Sequence, residues 1–107
     1  MIGIFENFSK TSEKPGSKFL PIIVKGTPNF LFYQIVKKLE EMGFAVTANN
    51  NYYDIFHVDG GFEITYILCA DDSGNCIINF TVYSEHKRGR TRGKLKKEIM
   101  MLKSWFN

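Results

Sequence analysis

The stretch GTPNFLFYQIVKKLEEMGF, residues 26–44, constrains this chain more than any other. Thr27 offers a side-chain oxygen to cap a helix, and Pro28 fits the first helical position, where its missing N–H costs nothing. Phe32, Ile35, Val36, Leu39 and Met42 then recur along one face, and Gly43 supplies a residue that tolerates a left-handed stop. The spacing predicts an amphipathic helix that needs a flat apolar partner. Immediately afterwards the apolar period falls from about 3.6 to 2 residues, the change from a helical stripe to the alternation of a half-buried strand.

Turn-forming clusters divide the chain beyond Gly43: NNN at 49–51, DGG at 59–61 and DDSGN at 71–75. Between them lie the expected strands Phe44–Ala48, Tyr52–Val58, Phe62–Ala70 and Cys76–Ser84, close enough in sequence for tight hairpins. FLPIIVKG, from Phe19, reads as a further short strand, restricted by Pro21 to a sheet edge or to its own first residues. A two-residue turn at Asp59-Gly60 would set Val58 against Gly61. Tyr53, Ile55 and His57 then share a face with Phe62, Ile64, Tyr66 and Leu68, whereas a slip by one residue would turn Asp54 to the core. KLKKEIMMLKSWFN closes the chain with Leu95, Ile99, Leu102 and Phe106 at helical intervals, and with Lys96, Lys97, Lys103 and Ser104 on the other side.

These elements specify an α+β class, a two-layer sandwich. A four- to five-stranded, mainly antiparallel meander sheet carries two amphipathic helices on one face, in the order β-α-β-β-β-β-α. The opposite face, with Thr65, Ile67, Ile77, Asn79, Thr81 and Tyr83, is left more open for a partner or a second copy of the chain, a homodimer. With 107 residues, 44% of them apolar, the chain can bury a core unaided. Residues 1–18 read as an N-terminal arm, polar over 9–18 and partly flexible, and 19–107 as one domain. No run of about 18 apolar residues exists to insert stably in a bilayer, and MIGIFENFSK lacks the pattern of a secretory leader, so a cytoplasmic location is expected.

Several chemical readings fall to spacing. Cys69 and Cys76 flank a turn, but the register that keeps the apolar faces together sends them to opposite faces, as separate thiols. Two Cys and two His, scattered, do not make a zinc set, and no metal or other cofactor is expected. His57 on a strand and His86 at the head of the basic run have no nucleophile signature beside them, and Asp71-Asp72 suits a hairpin loop. GRTRGK, at 89–94, resembles a phosphate loop but holds three residues between its glycines where that motif has four, and Leu95 follows the Lys. A non-enzymatic binding module is the expectation.

Charge is the positive signal. Residues 1–85 hold six Lys/Arg against ten Asp/Glu, and residues 86–107 hold eight against one, so the two parts carry −4 and +7. Lys87, Arg88, Arg90, Arg92, Lys94 and Lys97 gather before and within the start of the last helix, where cations oppose the helix dipole. Arginine supplies three of the first four charges, the residue suited to bidentate phosphate or carboxylate contact. Tyr83, Tyr52 and Tyr53 could stack on unpaired bases.

A helix, antiparallel strands and a helix with a basic start resemble, in that order, the double-stranded-RNA-binding domains, over Thr27 to Asn107. The resemblance implies phosphate contacts from lysines at the start of the last helix. The chain departs from that family by a fourth strand and by lacking its small, alanine-rich last helix. Two functions follow as expectations. The first is nucleic-acid binding through 87–97 to phosphates. The alternative is a protein-interaction or regulatory module that docks an acidic protein on the basic loop or on the open face at Ile67, Ile77 and Tyr83.

Overall fold

Thr27 caps the first helix as its sequence demands: its Oγ1 accepts a hydrogen bond from the Phe30 amide at 3.2 Å, while its own backbone stays extended. In the computed structural model, which describes residues 21–85 and 90–106, that helix is α1 (Pro28–Glu41). It follows β1 (Ile22–Lys25) and precedes β2 (Thr47–Asn49), β3 (Asp54–Asp59), β4 (Phe62–Ala70), β5 (Asn75–Tyr83) and the second helix, α2 (Thr91–Phe106). The arm expected over 1–18, together with His86, Lys87 and Arg88, lies outside the described residues.

The five strands form one antiparallel sheet in the order β1-β5-β4-β3-β2. Strands β2 to β5 make the expected meander, and β1 pairs with β5 at the far edge, where the proline before it interrupts nothing. α1 carries the chain from one edge of the sheet to the other. Both helices lie on a single face, over a core built from Ile22, Val24, Ile55, Ile64, Tyr66, Leu68, Ile78, Phe80 and Val82 of the sheet and Leu31, Phe32, Ile35, Leu39, Leu95 and Leu102 of the helices. The fold is therefore the α+β two-layer sandwich.

Hairpin chemistry matches residue type. The β3–β4 turn is Gly60-Gly61, with Asp59 opposite Phe62 and both glycines at positive φ, the backbone that a two-residue turn with the right twist requires. The turn thus sits one residue beyond the expected Asp59-Gly60. Because the shift moves both strands together, the face assignment is unchanged: Ile55 pairs with Tyr66 and His57 with Ile64. At the β4–β5 hairpin Asp71 Oδ1 accepts from the amides of Ser73 and Asn75, each at 2.8 Å, which is turn chemistry. Ala70 opposite Cys76 puts Cys69 on the outer face, exposed, and Cys76 on the core face, fully buried, where desolvation holds its thiol up at about 11.

Four details differ from expectation. Strand β2 begins at Thr47, and Phe44 and Val46 pack against the core from outside the sheet. Met42, the C-cap residue just past the helix end at Glu41, is exposed, and Leu31, in the first turns of the helix, joins the core. Asp54 is buried although it lies on the outer face. Most consequentially, the centre of the outer face is closed: Ile67 is 3% exposed and Thr81 4%. Ile67 occupies the middle of β4, flanked across the sheet by Asp54 on one side and Asn79 on the other. Of the face expected to meet a partner, Ile67 is buried, while Ile77 and Tyr83 are part-exposed.

Two substitutions test this packing. Thr27→Ala should cost about 1 kcal/mol in urea unfolding, by loss of the cap. Ile67→Ala should cost about 2 kcal/mol or more, because it leaves a cavity in a closed site, where an open face would tolerate it.

Candidate functional site

Helix α2 is amphipathic with one exception: Glu98 stands three residues after Leu95 and four before Leu102, on the apolar stripe. It is 3% exposed. An ionised carboxylate at such depth is tolerated only when its oxygens are occupied. They are: Tyr66 on β4 donates its hydroxyl proton to Glu98 Oε1 in a short hydrogen bond, and Lys94, one turn earlier on α2, places Nζ 3.1 Å from Oε2. Lys94 bridges in turn to Asp59 beside the β3–β4 turn. His57 Nε2 lies 3.4 Å from the Tyr66 hydroxyl and 3.8 Å from Glu98 Oε1, with the hydroxyl the nearer partner.

Donor and acceptor roles follow from this order. The Tyr66 proton is committed to Glu98, so the hydroxyl oxygen can accept from His57, which places the imidazole proton on Nε2. Nδ1 then carries a lone pair. That nitrogen is buried and has no partner among the described residues, and the Phe44 ring lies 4.6 Å from the imidazole, centroid to centroid.

Protonation follows the same geometry. Burial by itself would push the Glu98 carboxyl up, but the imidazole of His57 close by, the hydrogen bond from Tyr66, and the charge and hydrogen bond of Lys94 outweigh it and hold the acid below its ordinary value. Burial and the adjacent carboxylate drive the Tyr66 phenol well above its ordinary value. Desolvation works against the Lys94 cation, yet Asp59 and Glu98 together raise it. The cluster is closed from solvent at His57, Tyr66 and Glu98, so these groups have no surface to offer a substrate. What it can do is fasten α2 to β3 and β4.

Fastening Glu98 inward decides what remains outside. At about 100° per residue, Lys94, Glu98, Thr91, Leu102 and Leu95 fall within an arc of about 100° that faces the sheet. Arg92, Lys96, Lys97 and Lys103 fall in an arc of about 140° on the solvent side. All four are exposed, as is Arg90 just before the helix. Glu98 is the sole acid of α2, so every exposed charge from Arg90 to Lys103 is positive. The first turn has no acid to complement the helix dipole either.

Of the residues expected to bind phosphate, Arg90, Arg92 and Lys97 thus share one exposed surface. Lys94 is turned inward between two carboxylates, and Lys87 and Arg88 lie outside the described residues. Lys96 and Lys103, set aside as ordinary solvent-side lysines, belong to the same surface. The buried cluster was not anticipated, although its signal is in the sequence: an acid on the apolar stripe of a helix, and a histidine and a tyrosine on the apolar face of adjacent strands. Among the described residues no group of three His, Cys, Asp or Glu side chains could hold a metal, and no helix is long and apolar enough to cross a membrane. No protein-family model, no curated protein and no solved structure matches the chain.

The cluster gives stability a defined pH profile. Glu98, with its folded value depressed, contributes stability that is complete above its ordinary value of 4.5 and is lost as pH falls through the folded value. Tyr66 and Lys94, raised from 10.0 and 10.5, contribute stability that is present below those values and lost as pH climbs past them. Asp54, raised by burial, opposes the acid loss. Urea midpoints across pH should therefore show a plateau with two falling limbs. Glu98→Gln should flatten the acid limb, and Tyr66→Phe should shrink the alkaline limb and cost about 2 kcal/mol at neutral pH.

Proposed function

We propose that this protein binds the phosphate backbone of nucleic acid through the outer face of α2, with Arg90, Arg92, Lys96, Lys97 and Lys103 as the contacts. One observation carries the reading: burial of Glu98 leaves that face with exposed charges of one sign. A potential of one sign on a fixed helix attracts a polyanion, and the spacing from Arg92 to Lys103, about 16 Å at 1.5 Å per residue, spans several phosphates. Beside its cations the face offers Met100 and Ser104, with no Asn or Gln to read adenine edges, and its cations lie along one helix where they can follow a phosphate backbone.

An acidic protein would meet the same cations. Met100, 70% exposed between Lys96, Lys97 and Lys103, is the one apolar side chain on the arc and favours that second reading. The two differ in their response to salt and to chain chemistry.

Titration of labelled RNA and DNA oligomers by anisotropy separates them. Four to five phosphate contacts predict a slope of log K against log salt of about −4, hence a loss of a few hundredfold between about 50 and 200 mM. The triple variant R92A/K96A/K97A should lower the slope to about −2 and weaken every sequence alike. Lys94→Met should reduce stability while leaving the slope unchanged in the folded protein. No binding to any oligomer at the lower salt would overturn the proposal and move attention to an acidic protein partner.

A further inference from the structure

Exposed aromatic rings collect at the opposite end of α1 from its C-cap. Phe30 is 58% exposed and Tyr33, one turn on, 52%; Tyr52, in the turn between β2 and β3, is 48% exposed. Single exposed aromatics are ordinary on a protein surface, but Phe30 and Tyr33 lie one turn apart on one helix, and the turn that carries Tyr52 is tied to that helix. The Tyr33 hydroxyl accepts a hydrogen bond from Asn50 Nδ2 at 3.2 Å, which ties the turn to the helix. Beneath it, the Phe32 and Tyr53 rings meet edge to face at 5.7 Å. Tyr53 is the one non-glycine residue with positive φ among the described residues, at 52°, a backbone that a tyrosine keeps only where its surroundings hold it. Tyr53 is thereby turned to the core as the anchor of the turn, and Tyr52 to solvent.

Amides and a cation stand near the rings along the chain. Residues 28–38 and 45–53 contain no acid, while Asn50 and Asn51 are exposed beside Tyr52, and Lys37 is exposed one turn beyond Tyr33. On the helix, Tyr33 leans to the β2–β3 turn and Lys38 to α2, where its ammonium lies 5.6 Å from the centre of the Trp105 ring; Phe30 falls between them. Lys38 thus joins α1 to the helix that bears the cationic face, about 12 Å along α1 from Phe30 at 1.5 Å per residue.

We infer that Phe30, Tyr33 and Tyr52 form a stacking platform for unpaired bases, so that the nucleic acid preferred by this protein is single-stranded. Exposed rings accept the π-faces of bases, and a backbone that runs from the platform along α1 meets Lys37 on its way. A duplex hides its base faces and gains only the phosphate contacts. The inference rests on the proposed phosphate binding by α2, and it adds the strandedness that the cations alone do not decide.

The test uses the whole chain, a single-stranded oligonucleotide of mixed sequence and the corresponding duplex, at one salt concentration and then across a salt series. The wild type should favour the single strand by about tenfold or more, the worth of one stacked base. F30A/Y52A should lose that preference while keeping the salt slope, and F30Y/Y52F, which retains both rings, should restore it; circular dichroism and urea midpoints confirm that both variants are folded. Equal affinity of the wild type for single strand and duplex, with a steep salt slope, would overturn the platform and leave the cationic face standing. Preference for the single strand that survives F30A/Y52A would also overturn it. Absence of any binding would remove both readings.

Discussion

A single buried carboxylate organises this molecule. Glu98 lies on the apolar stripe of α2, where a neutral side chain would be expected, and it remains ionised because Tyr66 and Lys94 each occupy one of its oxygens. Each partner brings a different element: Tyr66 comes from the central strand β4, and Lys94 carries the link on to Asp59 at the end of β3. Apolar contact through Leu95 and Leu102 sticks α2 to the sheet, but such contact is non-directional and permits rotation of the helix about its axis. A hydrogen-bonded carboxylate does not. Its geometry sets which residues of α2 face inward, and so which face outward.

The outward consequence is electrostatic. A helix of this composition, with its acid at the surface, would present mixed charge and screen its own lysines. With the acid inside and Lys94 drawn in to meet it, the solvent arc holds cations alone. The arrangement has a cost to folding, since cations near a helix N-terminus oppose the dipole and a buried ion pair rarely stabilises more than an apolar one of equal volume. A chain that accepts both costs in one helix gains a fixed cationic surface. The aromatic ridge on α1 is held by similarly few contacts: a hydrogen bond from Asn50, a ring contact and a strained tyrosine.

How much of this could be read in advance depends on the range of the interactions. α1 was legible to its cap because Thr27, Pro28 and Gly43 act within a few residues of themselves. The meander and its faces were legible because the period-2 pattern fixes parity, and parity survives an error in the turn: Gly60-Gly61 replaced Asp59-Gly60 and no residue changed face. The two cysteines were separated on the same ground. What escaped were pairings across long stretches of chain. Glu98 meets Tyr66 from 32 residues away, and Lys94 meets Asp59 from 35. Lys94 therefore read as one cation among several, and only the structure distinguishes it from Lys97. The closed centre of the outer face was likewise invisible, since the pattern states which side of the sheet Ile67 occupies and not what surrounds it there.

If Tyr66 and Glu98 act as one unit to fix α2 on the sheet, removing either should remove most of what both supply. A double-mutant cycle built from Tyr66→Phe, Glu98→Ala and the double variant, read by urea unfolding at neutral pH, measures that unit directly. The two losses should not be additive, with a coupling of about 1–3 kcal/mol. Losses that add to within about 0.5 kcal/mol would mean that the carboxylate and the phenol are neighbours without being partners, and that something other than this bond sets the orientation of the cationic helix.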